Sequence, residues 1–301
     1  MYVDGRDFTS RFTSYRKAVD ETMAHLFDTV EPAILRQALM HSARGGKRVR
    51  PVVTMLSCSA VGGDPYDALQ AATAIELLHT SSLVHDDIMD GADVRRGVPT
   101  IHNRFGNSIA ILAGDTLIAL AFQMMQGVTS PGKDRIMAKF TRAFLETCEG
   151  QGYDLTLAEH AEARAARHRL MAEKKTARLL EAAASIGAMI GTTNEDHIRA
   201  LGRFGFDIGL AFQAQDDLLD QTGDEKTLGK PVHADRRNGK LTFVSVATGD
   251  DGVQTEQAWA EVAEQVRALT HSARSVLDVI PPTDACEALR FFADALLERA
   301  A

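Results

Sequence analysis

A chain of 301 residues, 45% hydrophobic and 25% charged with 8 prolines, is an ordinary globular sequence long enough for a large core. Its net charge of −8 excludes nucleic acid as the main partner, so any polyanionic ligand would have to be held locally by metals and a few placed Lys and Arg. The three cysteines, Cys58, Cys148 and Cys286, show no Cys-x-x-Cys spacing and suit small apolar packing in a reducing compartment.

The N-terminus lacks a basic-then-apolar signal pattern. No uninterrupted apolar run is expected to span a membrane, because the best candidate, Ile109 to Met125, is broken by Gly114-Asp115. The expected location is cytoplasmic. No Pro/Ser-rich linker divides the chain, so residues 1–301 are expected to form one domain.

Almost every segment reads as helix. Phe8, Phe12, Tyr15, Val19, Met23 and Leu26-Phe27 recur at spacings near three and four, an amphipathic stripe over 8–28. Pro32 fits the first turn of a second helix through about Met40. Arg44-Gly-Gly-Lys-Arg-Val-Arg50-Pro51 then breaks the pattern: two glycines allow close backbone approach, and Lys47 and Arg50 supply positive charge. Alone, this reads more readily as a plain basic turn between helices. Residues 51–61 read as buried, and Asp64-Pro65 as the start of a long Ala- and Leu-rich helix to Asp90.

That helix ends in His85-Asp-Asp-Ile-Met-Asp90, followed by Arg95-Arg96. Asp86 and Asp90, four apart, share a face, and His79 and Ser82 or Leu83 fall on the same stripe. Two carboxylates there meet the negative end of the helix dipole, a conflict that a hard divalent cation removes. Mg²⁺ takes one or two carboxylates and fills its other positions with water and phosphate oxygens. The Arg pair suits bidentate phosphate recognition.

Downstream, Gly97 to His102 reads as a lid-like loop, Asn107 as a cap for the apolar helix to Gly127, and Ser130-Pro131 as another helix start. Gly150-Gln-Gly-Tyr-Asp154 reads as a break in which Gln151 and Asp154 either reach a cavity or cap a helix. Residues 159–170 read as an exposed helix. Lys175-Thr176, a cation beside a hydroxyl, enters an apolar run, and Asn194 caps the helix that leads to Gln213-Ala-Gln-Asp216-Asp217-Leu-Leu-Asp220. The Asp-Asp-x-x-Asp spacing thus recurs 130 residues after Asp86. Six carboxylates around one cavity would repel by several kcal/mol at low dielectric unless cations and a polyanion sit between them. Residues 223–240 are irregular and carry Lys230 and Lys240, either a charged surface loop or a flap over a diphosphate. The helices around 255–271 and 284–299 carry no evident chemistry.

With both Asp clusters, the Gly-Gly-Lys turn, the Arg pair, Lys175-Thr176 and Phe212-Gln213 in order, the chain resembles the trans-isoprenyl diphosphate synthases over roughly residues 40–245. The resemblance implies an all-α helical bundle around a deep central cavity, a homodimer, and condensation of isopentenyl diphosphate with an allylic diphosphate. It implies Mg²⁺, about three ions per site. Position by position, it places Lys47, Arg50, His79 and Arg96 around isopentenyl diphosphate. Arg95, Lys175, Thr176, Gln213, Lys230 and Lys240 fall around the allylic diphosphate. Asp86, Asp90 and Asp216 are the implied principal Mg²⁺ ligands, with Asp87, Asp217 and Asp220 in direct or water-mediated support.

His233-Ala234 and Thr242-Phe243-Val244 depart from the family pattern beside the expected flap. Ser81 and Ser82, one turn below Asp86, are small where a bulky aromatic in this family stops growth at fifteen or twenty carbons. They imply a product of twenty carbons or more, with Leu78, Phe122 or Met125 as the floor of the tunnel. A terpene cyclase or head-to-head synthase shares the Asp-rich helices but lacks the Gly-Gly-Lys-x-x-Arg turn. A silent subunit would be expected to lose one of the acid clusters.

Overall fold

The computed structural model describes residues 5–156, 164–222, 242–247 and 256–297. Its helices in chain order are α1 (Gly5–Asp28), α2 (Ala33–Ser42), α3 (Val49–Ala60), α4 (Leu69–Met89), α5 (Ile101–Phe105), α6 (Asn107–Gln126), α7 (Lys133–Thr156), α8 (Arg164–Ala172), α9 (Arg178–Gly191), α10 (Glu195–Thr222), α11 (Phe243–Ala247), α12 (Glu256–Ser275) and α13 (Asp284–Leu297). Among the described residues the fold is all-α apart from a two-stranded hairpin, β1 (Val94–Arg95) and β2 (Val98–Pro99).

Helix α4 is the central strut. Its small and aliphatic side chains, Ala71, Ala72, Ala74, Ile75, Leu77 and Leu78, are each no more than 1% exposed. Alanine lets neighbouring helices approach closely without loss of helix propensity. Helix α4 packs chiefly against α6 on one side and α3 on the other; α3 in turn packs on α9, and α9 on α10. Helices α3, α4, α7, α9 and α10 contribute to the wall of the central cavity, and α12 and α13 close the bundle behind α10 and α3.

Several expected starts and stops are found. Asp64 Oδ1 accepts the Tyr66 N–H at 2.9 Å, although the turn it opens, Pro65–Ala68, is 3₁₀ and α4 begins only at Leu69. Asn194 Oδ1 accepts from the N–H groups of Asp196 and His197 at the head of α10. Asn107 is not a cap: Gly106, at φ 85°, takes that place. The expected break at Gly150–Asp154 is also absent, because α7 runs unbroken through it to Thr156. Its Gly150 serves a close approach, since a Cβ there would overlap the backbone of Lys175.

The loop after Asp90 is more ordered than a lid. Arg96 and Gly97, at φ 51° and 77°, form the two-residue tip of the β1–β2 hairpin, the turn in which both central residues are left-handed. Helix α6 is long and apolar enough to cross a membrane by length and composition alone, contrary to the expectation from the Gly114-Asp115 interruption. Its inner residues Ala110, Ala113, Gly114, Leu117 and Ala121 are buried in the bundle, packed mainly toward α4.

Candidate active site

A cavity of about 870 Å³ opens between the C-terminal end of α4, the hairpin, α7 and α10. Asp86 and Asp90 line it from α4, and Asp216 and Asp217 line it from α10, so the two acid clusters share one space. Lys47, Arg50, His79, Arg95, Arg96, Lys175, Thr176 and Gln213 line it too, as do Ser81 and Ser82. Lys230, Lys240 and His233-Ala234 lie outside the described residues, as does the side chain of Asp220.

On one side, the turn before α3 and the tip of the hairpin bring positive charge together. Arg96 Nη1 donates to the Arg44 carbonyl at 3.3 Å, which ties the tip to the Gly-Gly-Lys turn. Arg50 Nη1 lies 3.1 Å from His79 Nε2. Burial, then the neighbouring Arg50 and Arg96, push the His79 pKa well below its ordinary value. The imidazole is therefore neutral, and Nε2 can accept the Arg50 N–H.

The other side is organised by an irregular turn. Glu173–Ala177 is a π turn joining α8 to α9. Such widened turns re-aim side chains within a helix, and here both Lys175 and Thr176 face the cavity. Lys175 Nζ is 2.7 Å from Asp154 Oδ2 and 3.5 Å from Asp86 Oδ2. Burial disfavours this ammonium, but Asp86 and Asp154 outweigh it and raise its pKa, so Lys175 stays cationic. Thr176 Oγ1 donates to Gln213 Oε1 at 2.8 Å, and Gln213 Nε2 donates to Asp217 Oδ1 at 2.9 Å. Asp217 Oδ2 accepts the Phe243 N–H at 2.7 Å, which pins α11 to α10.

The first acid cluster divides in two. Asp86 and Asp90 face the cavity, whereas Asp87, about 100° round the helix from Asp86, is buried behind its lining. Both Asp87 oxygens accept from Arg95 Nε, at 2.8 and 2.9 Å. Asp87, expected in direct or water-mediated support of a metal, is here engaged by Arg95 and holds it in place.

Burial raises the Asp86 pKa; Lys175 opposes this and Asp90 adds to it. A cation placed between the acidic walls would relieve that strain. Among the described residues no three His, Cys, Asp or Glu side chains form a closed metal cage. A donor set of separated carboxylates around open space fits a hard cation that takes its remaining ligands from water and phosphate, unlike a closed structural site.

Below the charged mouth the wall turns apolar, through Phe144, Leu180, Ile208 and Phe212. Leu78, Phe122 and Met125, the expected floor, do not line it. Leu78 is 1% exposed in the core. Phe122 stands behind Phe144, ring to ring at 6.5 Å, and of these two only Phe144 lines the cavity. Gln151 and Asp154 both reach the cavity. Sequence reasoning missed Phe144 and Arg48, which no local pattern signals.

The class that fold and site define is a helical-bundle enzyme with two acid clusters and placed cations around one cavity. A family model for polyprenyl synthetase matches residues 32–279, and the chain belongs to that family. It is 37% identical to the short chain isoprenyl diphosphate synthase of Methanothermobacter thermautotrophicus, over 95% of this chain and 96% of the other. It is 38% identical to the geranylgeranyl diphosphate synthase of Sulfolobus acidocaldarius, over 80% of this chain and 74% of that one. The crystal structure of geranylgeranyl pyrophosphate synthetase from Pyrococcus horikoshii Ot3 superimposes with a TM-score of 0.91 at 35% identity, covering 97% of this chain and 98% of that one.

Proposed function

We propose that this protein condenses isopentenyl diphosphate head-to-tail with an allylic diphosphate and makes a geranylgeranyl or longer product. The observation that carries this is the convergence of two acid clusters and two groups of cations on one cavity whose lower wall is apolar. In this reading Lys175 and Arg95 bind the allylic diphosphate at the mouth. Lys47, Arg50 and Arg96 hold isopentenyl diphosphate beside it, with neutral His79 orienting Arg50.

Asp86, Asp90 and Asp216 would hold Mg²⁺, which when bound offsets negative charge on the leaving diphosphate. Lys175 and Arg95 stabilise that same charge as the allylic C–O bond breaks. The double bond of isopentenyl diphosphate then attacks the allylic carbon, and loss of a proton to the released diphosphate completes a chain five carbons longer. Thr176 and Gln213 present polar atoms beside the reacting carbon, while the apolar wall from Phe144 to Phe212 keeps water from it. No side chain is needed as a nucleophile.

A homodimer is part of the proposal. Ile111 and Leu112 on α6 are 47% and 52% exposed, neighbouring apolar side chains that a second copy could cover. Sedimentation at the mass of a monomer would remove that part.

Labelled isopentenyl diphosphate supplied with five-, ten- and fifteen-carbon allylic starters tests the function. Incorporation that EDTA abolishes and Mg²⁺ restores supports it. No incorporation by the folded protein would instead favour a cyclase or a non-catalytic subunit.

A further inference from the structure

Arg48 stands between Lys47 and Arg50, yet its guanidinium is turned inward. Its Nε donates to Asp20 Oδ1 at 2.7 Å, its Nη1 to Glu76 Oε1 at 2.9 Å and its Nη2 to the Ala43 carbonyl at 2.5 Å. Every nitrogen of the fork is thereby committed, and the side chain is 4% exposed. It has no nitrogen left over for a ligand.

The backbone follows from this clamp. Arg48 has φ 55°, in the left-handed region that a branched or long side chain rarely takes. The chain therefore reverses sharply at Arg48, and Lys47 and Arg50 both emerge on the cavity wall. Such a conformation persists only where surrounding contacts over-determine it. Here they do, because Gly46 passes so close over the guanidinium that a Cβ would overlap Arg48 Nη1.

The anchor of the clamp is Glu76, 2% exposed on α4 and three residues before His79. Burial raises the Glu76 pKa, and the charges of Arg48, Arg50 and Arg96 oppose that, so the same acid feels the cations of the cavity wall. One buried acid thus fixes the basic turn and offsets the repulsion among the cations that converge there.

We infer that Glu76, acting through Arg48, is the positioning residue of the isopentenyl diphosphate half-site, setting the turn from Gly45 to Arg50 in its binding shape. The allylic half-site, built on Lys175, Arg95 and α10, does not depend on it. This rests on the proposed condensation, and the two are separable by experiment.

The test uses the full-length protein and the variants Glu76→Gln and Arg48→Lys. KM is measured for each substrate at saturation of the other, with the affinity for isopentenyl diphosphate alone taken by calorimetry. Both variants are expected to raise KM and Kd for isopentenyl diphosphate by about tenfold or more, with the allylic KM within about twofold and kcat within about threefold. The double variant should be no worse than the poorer single one, because both act through one contact. A purely stabilising role would lower the melting temperature and leave the ratio of the two KM values unchanged, which overturns the inference. Should Glu76→Gln not fold, Asp20→Asn at the half-exposed outer anchor decides: a rise in KM for isopentenyl diphosphate alone supports the clamp, and unchanged KM values refute it. A wild-type protein with no condensing activity would refute the underlying function instead.

Discussion

Product length should be set by Phe144, and it can be moved in both directions. Phe144 precedes Asp154 by ten residues on α7, so at the helical rise it lies about 15 Å below the mouth. Ser81 precedes Asp86 by five residues on α4, about 7.5 Å down the facing wall. Ser81 is 1% exposed, and its hydroxyl has no hydrogen-bond partner. A phenylalanine there would block the cavity at about half its depth, with an overpacking cost of ~1–3 kcal/mol. Phe144→Ala removes the floor instead. The half-buried ring makes the loss about 2 kcal/mol, below the range for a fully buried one, which a protein of ordinary stability survives. Phe122, next behind it, then becomes the new floor, so the gain should be limited.

Products from labelled isopentenyl diphosphate, separated by length, are the assay. Phe144→Ala should lengthen the product, Ser81→Phe should shorten it, and the double variant should follow Ser81→Phe because the growing chain meets that block first. An unchanged distribution in Phe144→Ala would refute the floor. An unchanged one in Ser81→Phe would mean the chain does not run along α4.

Asp87→Asn should raise the allylic KM by releasing Arg95 while leaving the Mg²⁺ concentration for half-maximal rate unchanged, whereas Asp86→Asn should shift both; a metal titration of each variant separates them. Gly150→Ala should force α7 away from the π turn and displace Lys175, lowering kcat by about 10²-fold as loss of a placed charge does; full activity would show that the close approach is not needed. His79 has a lowered pKa in the folded state, so the unfolded chain binds the proton more readily. Its contribution to stability is present above about pH 6.5 and is lost as pH falls through the lower folded value. His79→Gln should flatten the acid side of the melting-temperature profile by up to about 1.4 kcal/mol per pH unit, and an unaltered slope would contradict a neutral His79.

The parts of the site legible in the sequence are those fixed by helical phase. Asp86, Asp90 and His79 share a stripe because α4 is regular, and the same phase separates Asp87 from them. Fold class was legible for the same reason, in the recurrence of apolar residues at three and four. What could not be read depends on contacts between distant segments. Gly150 and Gly152 resemble helix breakers until Lys175 is seen packed against Gly150. Arg48 looks like one more surface cation until Asp20 and Glu76 close on it. That Leu78, Phe122 and Met125 do not line the cavity could not be read either, because nothing local to α6 shows that Phe144 of α7 stands in front of Phe122.

The widened turn at Glu173–Ala177 acts as a phase shifter in one continuous helix. Neighbouring residues on an α-helix diverge by about 100°, yet Lys175 and Thr176 look into the same space. Above the turn, Met171 and Ala172 keep the inner side of α8; below it, Leu179, Leu180 and Ala183 keep that of α9. Because the offset is absorbed in between, the two stretches need not share an angular register. Changes in the lower, hydrocarbon-facing wall can therefore accumulate without rotating the charged groups above it, and deletion of a single residue within the turn would undo that independence.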